Sequence, residues 1–163
     1  MSVIHSDELR ELHEIAANSP RLRKNLNIHT RLDAPVQRLF NAMEPGTYIR
    51  PHRHARENGW ELMLVIQGSF AVLFFDDRGQ VTEKYILSQH DGLLAVEVPA
   101  SVWHTVVSLE RGTVMFEVKE GPYTPVTDKD FADWAPQEGG PDASSMLEWF
   151  RQAQPFETAR EQT

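Results

Sequence analysis

The chain reads as mainly β: an antiparallel sandwich or barrel with one short helix at each end. Three observations predict this. From Val36 onward, short apolar runs recur at 36–43, 47–54, 60–66, 69–75, 80–87, 93–98, 103–109 and 113–119. The breaks between them are turn signals: Glu44-Pro45-Gly46, Asn58-Gly59, Gln67-Gly68, Asp76-Asp77-Arg78-Gly79, His90-Asp91-Gly92, Pro99 and Glu110-Arg111-Gly112. Helical spacing shows only near the two ends. Many short strands at nearly even spacing mark an antiparallel all-β fold.

Residues 7–17, DELRELHEIAA, place Leu9, Leu12 and Ile15 or Ala16 on one helical face. Ser6 precedes them as N-cap, and Asn18-Ser19-Pro20 is the stop. The stretch 20–33 is polar and basic, and reads as an arm or loop. After Gly121-Pro122 the alternation is lost, and TDKDFADWAPQEGGPD reads as a wrapping loop. Asp142 or Ser144 then caps a short helix, SMLEWFRQA, with Met146, Trp149 and Phe150 on one face; the final ETAREQT is expected to fray. The organisation is therefore one domain in three parts: helix and arm (1–35), β unit (36–125), wrapping segment and helix (126–163). No internal repeat appears.

LMLVI (62–66) and FAVLFF (70–75) are apolar on both faces, where a sheet with one wet face would alternate. One face fills the core. The other needs a cover from the N-terminal helix, the C-terminal segment or a second subunit, and a homodimer is the expectation.

With 163 residues, 40% of them hydrophobic, the chain has the length of one ordinary domain. No apolar stretch is long enough to span a bilayer, and the opening MSVIHSDELRELHE is acidic, unlike a signal peptide. A cytoplasmic protein is expected. The net charge of −8 argues against nucleic acid as a partner, because phosphate contacts need a basic face. The absence of cysteine excludes disulfides and thiolate ligands, so any metal must be held by nitrogen and oxygen.

Such a set exists. His52 and His54 lie two apart in PHRH, so on a strand both imidazoles point the same way. Glu61 opens the next apolar run, and His104 follows a proline-containing turn in VPASVWH. Three imidazoles and a carboxylate suit one divalent transition metal ion: iron, zinc, manganese, nickel or cobalt. Alone, His-Arg-His would equally fit a basic surface strand. Glu57 competes with Glu61 as the carboxylate, but it sits in the loop after His54, whereas Glu61 starts a strand and shares parity with Met63 and Val65. A ligand on a rigid strand is better preorganised, which favours Glu61. Glu57 then reads as a solvated loop acid pairing with Arg53 or Arg56.

Taken together, Gly46-x5-His52-x-His54-x6-Glu61-x6-Gly68 resembles the first motif of the cupin superfamily, and Gly92-x6-Pro99-x4-His104 its second. The resemblance implies a small jelly-roll barrel whose ligands are His52, His54, Glu61 and His104. Three departures stand out: six residues rather than three or four before the glutamate, Ser101 where glycine is usual, and Ser108 where asparagine is usual. Asn58-Gly59, a strong hairpin signal, explains the longer gap. The runs SPRLRKNLNIH, VQRLFNAMEPGTYIRPHRH, AVLFFDDRGQV and FEVKEGPYTPVTDKDFADWAPQEG further resemble the WbuC family of cupin-fold metalloproteins, nearly to the end of the wrapping loop. That resemblance implies an association with bacterial surface-polysaccharide gene clusters. It supplies a fold and a metal, and no reaction.

Tyr48 and Arg50 share strand parity with the histidine pair, so both are expected to face the interior as substrate-binding residues. An arginine beside a metal favours an anionic or carboxylate-bearing substrate; the alternative is an internal ion pair with Glu117 or Glu97. Tyr48 reads more simply as packing, with its hydroxyl satisfied. His29, with Arg21, Arg23, Lys24 and Arg31, offers either a cationic lid over the barrel mouth or a solvated basic loop. Trp103 should take the face opposite His104. His5, His13 and His90 have no strand context that links them to the site.

The leading functional reading is a metal-dependent enzyme acting on a small polar, carbohydrate-related molecule by isomerisation, epimerisation or oxidation. The alternative is a non-catalytic, metal-stabilised module that binds a small ligand. A metal-free epimerase of the same fold would have no need of all four ligands. No helix-turn-helix signature supports a regulator.

Overall fold

Sandwiched between its two sheets, the protein holds an apolar layer to which both contribute. The computed structural model describes residues 3–122 and 131–159. The elements run α1 (Ser6–Ala17), β1 (Arg23–Asn27), β2 (Val36–Met43), β3 (Glu61–Gln67), β4 (Ser69–Phe75), β5 (Val81–Ser88), β6 (Ala95–Val98), β7 (Trp103–Ser108), β8 (Thr113–Glu120) and α2 (Ala143–Gln152). Five strands form one sheet in the order β1-β2-β8-β3-β6, and three form the other, β5-β4-β7. All pairings are antiparallel. The described strands make two facing sheets rather than a closed barrel.

Alternation along the strands builds the layer between them. Met43, Met63, Val65, Val98 and Met115 project from the larger sheet, and Phe70, Val72, Phe74, Leu87 and Val106 from the smaller. The opposite face of β4, with Ala71, Leu73 and Phe75, packs on Leu147, Trp149 and Phe150 of α2. That is why every residue of β4 is buried. The C-terminal helix supplies the cover that the two-faced apolar run demanded. On the larger sheet, α1 lays Leu9, Leu12 and Ala16 over Ala42, Val114 and Ile66, whereas Leu62 and Leu64 of β3 stay partly exposed.

Several boundaries differ from expectation, each for a physical reason. The arm is not a loop: Arg23–Asn27 forms β1 on the edge of β2, with Arg23 opposite Met43 and Asn27 opposite Leu39. An edge strand draws on backbone bonds and buries little, so its sequence shows no apolar period. Its charges are paired locally, Arg21 and Arg23 to Glu138 and Arg31 to Asp33, so they form no lid. The run 47–54 is not a ladder strand. Pro51 has no N–H to donate, and the carbonyl of Ile49 accepts from Thr105 Oγ1 at 2.5 Å. Only His52 makes strand bridges there, to His104 and Phe131.

Helix α1 begins at Ser6 itself, with His5 preceding it and Glu8 accepting the His5 N–H at 2.8 Å. Helix α2 starts two residues earlier than read, after Asp142, and buries Leu147 beside Trp149 and Phe150. Residues 127–130 of the wrapping loop, the proposed boundary at 125/126 and the tail 160–163 lie outside the described residues. No helix among the described residues is long and apolar enough to cross a membrane.

Two predictions follow from the α2 packing. Phe150 is fully buried against Phe75 and Tyr48, so Phe150→Ala should cost about 3–5 kcal/mol, read as a lower denaturant midpoint. Burial, opposed by nearby Arg50, pushes the Tyr48 phenol above its usual value of 10.0. The folded state thus holds this proton after the unfolded chain has released it. Stability is fully present below about pH 10 and falls as pH rises beyond it. Tyr48→Phe should flatten that alkaline fall in urea midpoints measured from about pH 9 to 11.

Candidate metal centre

Three segments carry the four candidate ligands to one end of the layer. Glu61 opens β3 on its inward face, in the alternation that also buries Met63 and Val65. His104 is the second residue of β7 and shares its inward face with Val106. His52 and His54 lie on the extended chain after Pro51. His52 N–H donates to the His104 carbonyl at 3.0 Å, and His104 N–H returns a bond to the His52 carbonyl at 2.9 Å. One turn on, Ser101 N–H donates to the His54 carbonyl at 3.0 Å. Ser101 holds φ at +65° to do so, a left-handed conformation that explains why glycine is usual there. Gly59 also matters: a Cβ would lie 2.5 Å from the His54 carbonyl oxygen and 2.7 Å from its Cβ. The residue lets the loop close on the histidine.

One donor atom from each of His52, His54, Glu61 and His104 lies within 4.8 Å of the other three. Ligands about 2.1 Å from one ion stand at most about 4.2 Å apart, so small shifts would suffice for coordination. Nε2 of His104 is 3.2 Å from Glu61 Oε2, and Nε2 of His54 is 3.0 Å from Glu61 Oε1. The ring orientations are set from behind. His52 Nδ1 faces the Arg50 carbonyl at 3.0 Å, and His104 Nδ1 faces the Val102 carbonyl at 2.9 Å. A carbonyl only accepts, so each Nδ1 carries a proton, and the neutral form of either ring has its lone pair on Nε2. Backing of this kind holds the tautomer that metal ligation needs. Buried Nε2 of His54 is off the line to Glu61 and has no hydrogen-bond partner among the described residues. Burial, with His104 beside it, pushes His52 down to about 3, so this ring is neutral at ordinary pH.

Behind Glu61 lies a buried polar chain that the sequence reading did not assemble. Lys119, directly across from Glu61 in the β3–β8 register, places Nζ 2.9 Å from Glu61 Oε1 and 2.7 Å from Glu117 Oε1. Asn41 Nδ2 donates to Glu117 Oε2 at 2.8 Å. Burial opposes ionisation of Glu61, but Lys119 together with hydrogen bonds from His104 and His54 outweighs it and holds the carboxyl well below its usual range. Burial pushes Glu117 up, against the pull of the same ammonium. Burial would lower Lys119, yet the two carboxylates together raise it. The available signal was parity: Glu117 and Lys119 share the face of Met115, a core residue, on β8.

The other expected site residues lie elsewhere. Tyr48 does not face the space between the sheets but is buried against α2. It stacks on Phe150 at 6.0 Å and donates its hydroxyl to the Pro136 carbonyl at 2.9 Å, because the non-ladder segment 47–51 does not keep strand parity. Arg50 pairs with neither Glu117 nor Glu97. Its guanidinium lies 5.2 Å over the Phe131 ring and donates to the Ala132 carbonyl at 2.8 Å. His29 is buried with Nδ1 3.0 Å from the Arg38 carbonyl, so it belongs to no lid. Glu57 is exposed. Arg53 instead approaches Asp77 at 3.6 Å, and Arg56 donates to the carbonyls of Glu120 and Pro122. Trp103 takes the face opposite His104, lying 4.3 Å under Arg53 with its indole N–H on Asp77.

Removing one member of a buried ionic group leaves an uncompensated charge. Lys119→Met should therefore destabilise the protein by about 3–5 kcal/mol in chemical denaturation. Adding Glu117→Gln should recover part of the loss.

The comparisons with known proteins can be set beside this geometry. No curated protein matches the chain. Among solved structures it is similar to KdgF from Halomonas sp., at 21% identity over 69% of this chain and 87% of that one, TM-score 0.48. It is similar also to a cupin superfamily protein from Desulfitobacterium hafniense, at 19% identity over 60% and 76% of the two chains, TM-score 0.47. A third is oxalate decarboxylase from Bacillus subtilis, at 16% identity over 69% of this chain and 28% of that one, TM-score 0.49. One family model, described as a domain of unknown function (DUF6016), matches residues 4–87, a span that holds His52, His54 and Glu61 and ends before His104. Since that match covers just over half of the sequence, the chain belongs to the DUF6016 family.

Proposed function

We propose that this protein binds one divalent transition metal ion, iron, zinc, manganese or nickel, through His52, His54, Glu61 and His104. The observation that carries the reading is the convergence of the four donors, with His52 and His104 backed so that the neutral form of either ring has its lone pair on Nε2. Nε2 of His104 stands within hydrogen-bond reach of Glu61 Oε2, at 3.2 Å; in the neutral form with the proton on Nδ1, the two would face each other as acceptors. A cation between them turns that repulsion into attraction. The donor set contains no sulfur and suits such an ion.

When bound, the metal would supply a Lewis acid and a means of activating water or dioxygen. This chain's own residues do the rest. Lys119 engages Oε1 of Glu61 and leaves Oε2 facing His104. The two carbonyls behind His52 and His104 fix their rings, and the apolar layer beneath excludes water. For substrate contact, Arg50 is the favoured residue of the three considered. Its guanidinium rests on Phe131, whose ring lies 6.4 Å from that of His52, and a half-buried cation there favours a carboxylate or phosphate. A small carbohydrate-related substrate, transformed by isomerisation, epimerisation or oxidation in surface-polysaccharide synthesis, is the reading that the WbuC resemblance adds. We further propose a single cytoplasmic domain with its β unit at 36–125.

Protein purified without added metal, then titrated with each of the four ions and analysed for elements, tests this. One equivalent is expected to bind. His52→Ala with His54→Ala should abolish binding while circular dichroism stays that of a β protein, because the apolar layer and not the ion holds the sheets together. Wild-type protein that stays metal-free with each ion supplied would overturn the proposal, and unfolding on chelation would make the ion structural.

A further inference from the structure

Away from the four donors lies a cavity of about 720 Å³, between the turn that leads into β1 and one face of α2. That volume takes a small molecule. Tyr48 and Leu147 supply apolar wall, and Arg21, Arg23 and Arg151 line the cavity against a single acid, Glu138. In a chain of net charge −8, this is a local reversal of sign. Glu138 sits where two of the arginines converge. Arg21 grips it with two prongs, Nε to Oε2 at 2.9 Å and Nη2 to Oε1 at 3.2 Å, and Arg23 adds a bond from Nη2 to Oε1. Arg23 is held independently by a bond from Nη1 to the Tyr48 carbonyl at 2.9 Å, so it keeps its place without Glu138. Burial opposes the charge on Arg23 and Glu138 supports it; a desolvated guanidinium needs an anion beside it. The acid itself is exposed and precedes Gly139, at φ +74°, and Gly140. A Cβ at Gly139 would meet nothing within 4 Å, so the turn has open space into which its carboxylate can withdraw.

We propose that this cavity binds a small-molecule carboxylate with an apolar body, and that Glu138 is a built-in stand-in that holds the arginine seat until the ligand displaces it. The fork of Arg21 matches the planar, two-oxygen geometry of a carboxylate. Tyr48 and Leu147 take the apolar remainder, which a bare phosphate does not have. Arg151, paired with exposed Glu148, adds positive charge from α2. Binding exchanges one carboxylate for another, so Arg23 keeps a counter-ion in both states. A tethered competitor weakens apparent affinity through its effective concentration, so the cavity responds to a well-fitted or abundant ligand and not to every passing anion. None of these residues is among the four candidate metal ligands, and Tyr48 and Leu147 pack on the outer side of the smaller sheet. The site is therefore independent of any metal.

The test is an NMR titration of the full chain with benzoate, and in parallel with inorganic phosphate, read at the Leu147 methyl signals. Glu138→Gln should bind benzoate at least about tenfold more tightly than wild type, because the internal competitor is gone. Adding Arg21→Gln, at an exposed position, should reverse that gain. The variant with both His52→Ala and His54→Ala should bind benzoate as wild type does, which separates this cavity from the metal centre. A Glu138→Gln protein that binds no benzoate, or binds it no better than wild type, would overturn the proposal and leave Glu138 as a staple of the turn. Affinity indifferent to Arg21→Gln, affinity lost in the histidine variant, or phosphate bound more tightly than benzoate would overturn it equally.

Discussion

Two backbone bonds between His52 and His104 are the constraint on which the rest of the candidate site depends. The segment holding His52 and His54 is not part of any ladder, and Pro51 denies it one bond that a strand would make. Without those two bonds the histidine pair would be a surface loop. With them, the segment is docked on β7, and the imidazoles inherit the position of a strand. Backbone bonds do this well because they fix register, not merely proximity. Every later feature, from the Nδ1–carbonyl backing to the approach of Glu61, presupposes it.

Much of this was legible in the sequence, and what was missed has a common cause. Strands with an apolar period, such as β3, β4, β7 and β8, were read to within a residue or two, since burial writes itself into their side chains. The four residues brought together were also readable, because spacing and parity place them on inward faces. Where a segment is held by its backbone alone, side chains say little. Strand β1 is polar and sits on an edge; the stretch from Thr47 to His54 bridges its neighbours at His52 and joins no ladder. Parity arguments failed for Tyr48 for that reason. The Glu61–Lys119–Glu117 chain was missed because charged residues on a strand normally signal solvent. Here they face inward and satisfy one another.

That chain bears on how the interior is divided. The space between the sheets is apolar around Phe70, Phe74 and Met115, and polar around Glu61, Lys119 and Asn41. A buried ionic group contributes little net stability compared with apolar packing of the same volume. What it contributes is an ionised carboxylate at a dry position, one oxygen engaged and the other presented. The apolar end sustains the fold, and the polar end is thereby released from that duty.

The donors are also divided between the layers. Glu61 belongs to the five-stranded sheet, whereas the three imidazoles ride on β7 of the three-stranded one or on the segment stitched to it. The cluster therefore spans a seam, and its geometry reports the distance between two rigid plates. Any slippage of one plate past the other would spread the donors apart, so the tightness of the methionine and phenylalanine filling governs how sharply the cluster is defined. Mutations far from the histidines, by loosening that filling, would act on the site as a mechanical lever.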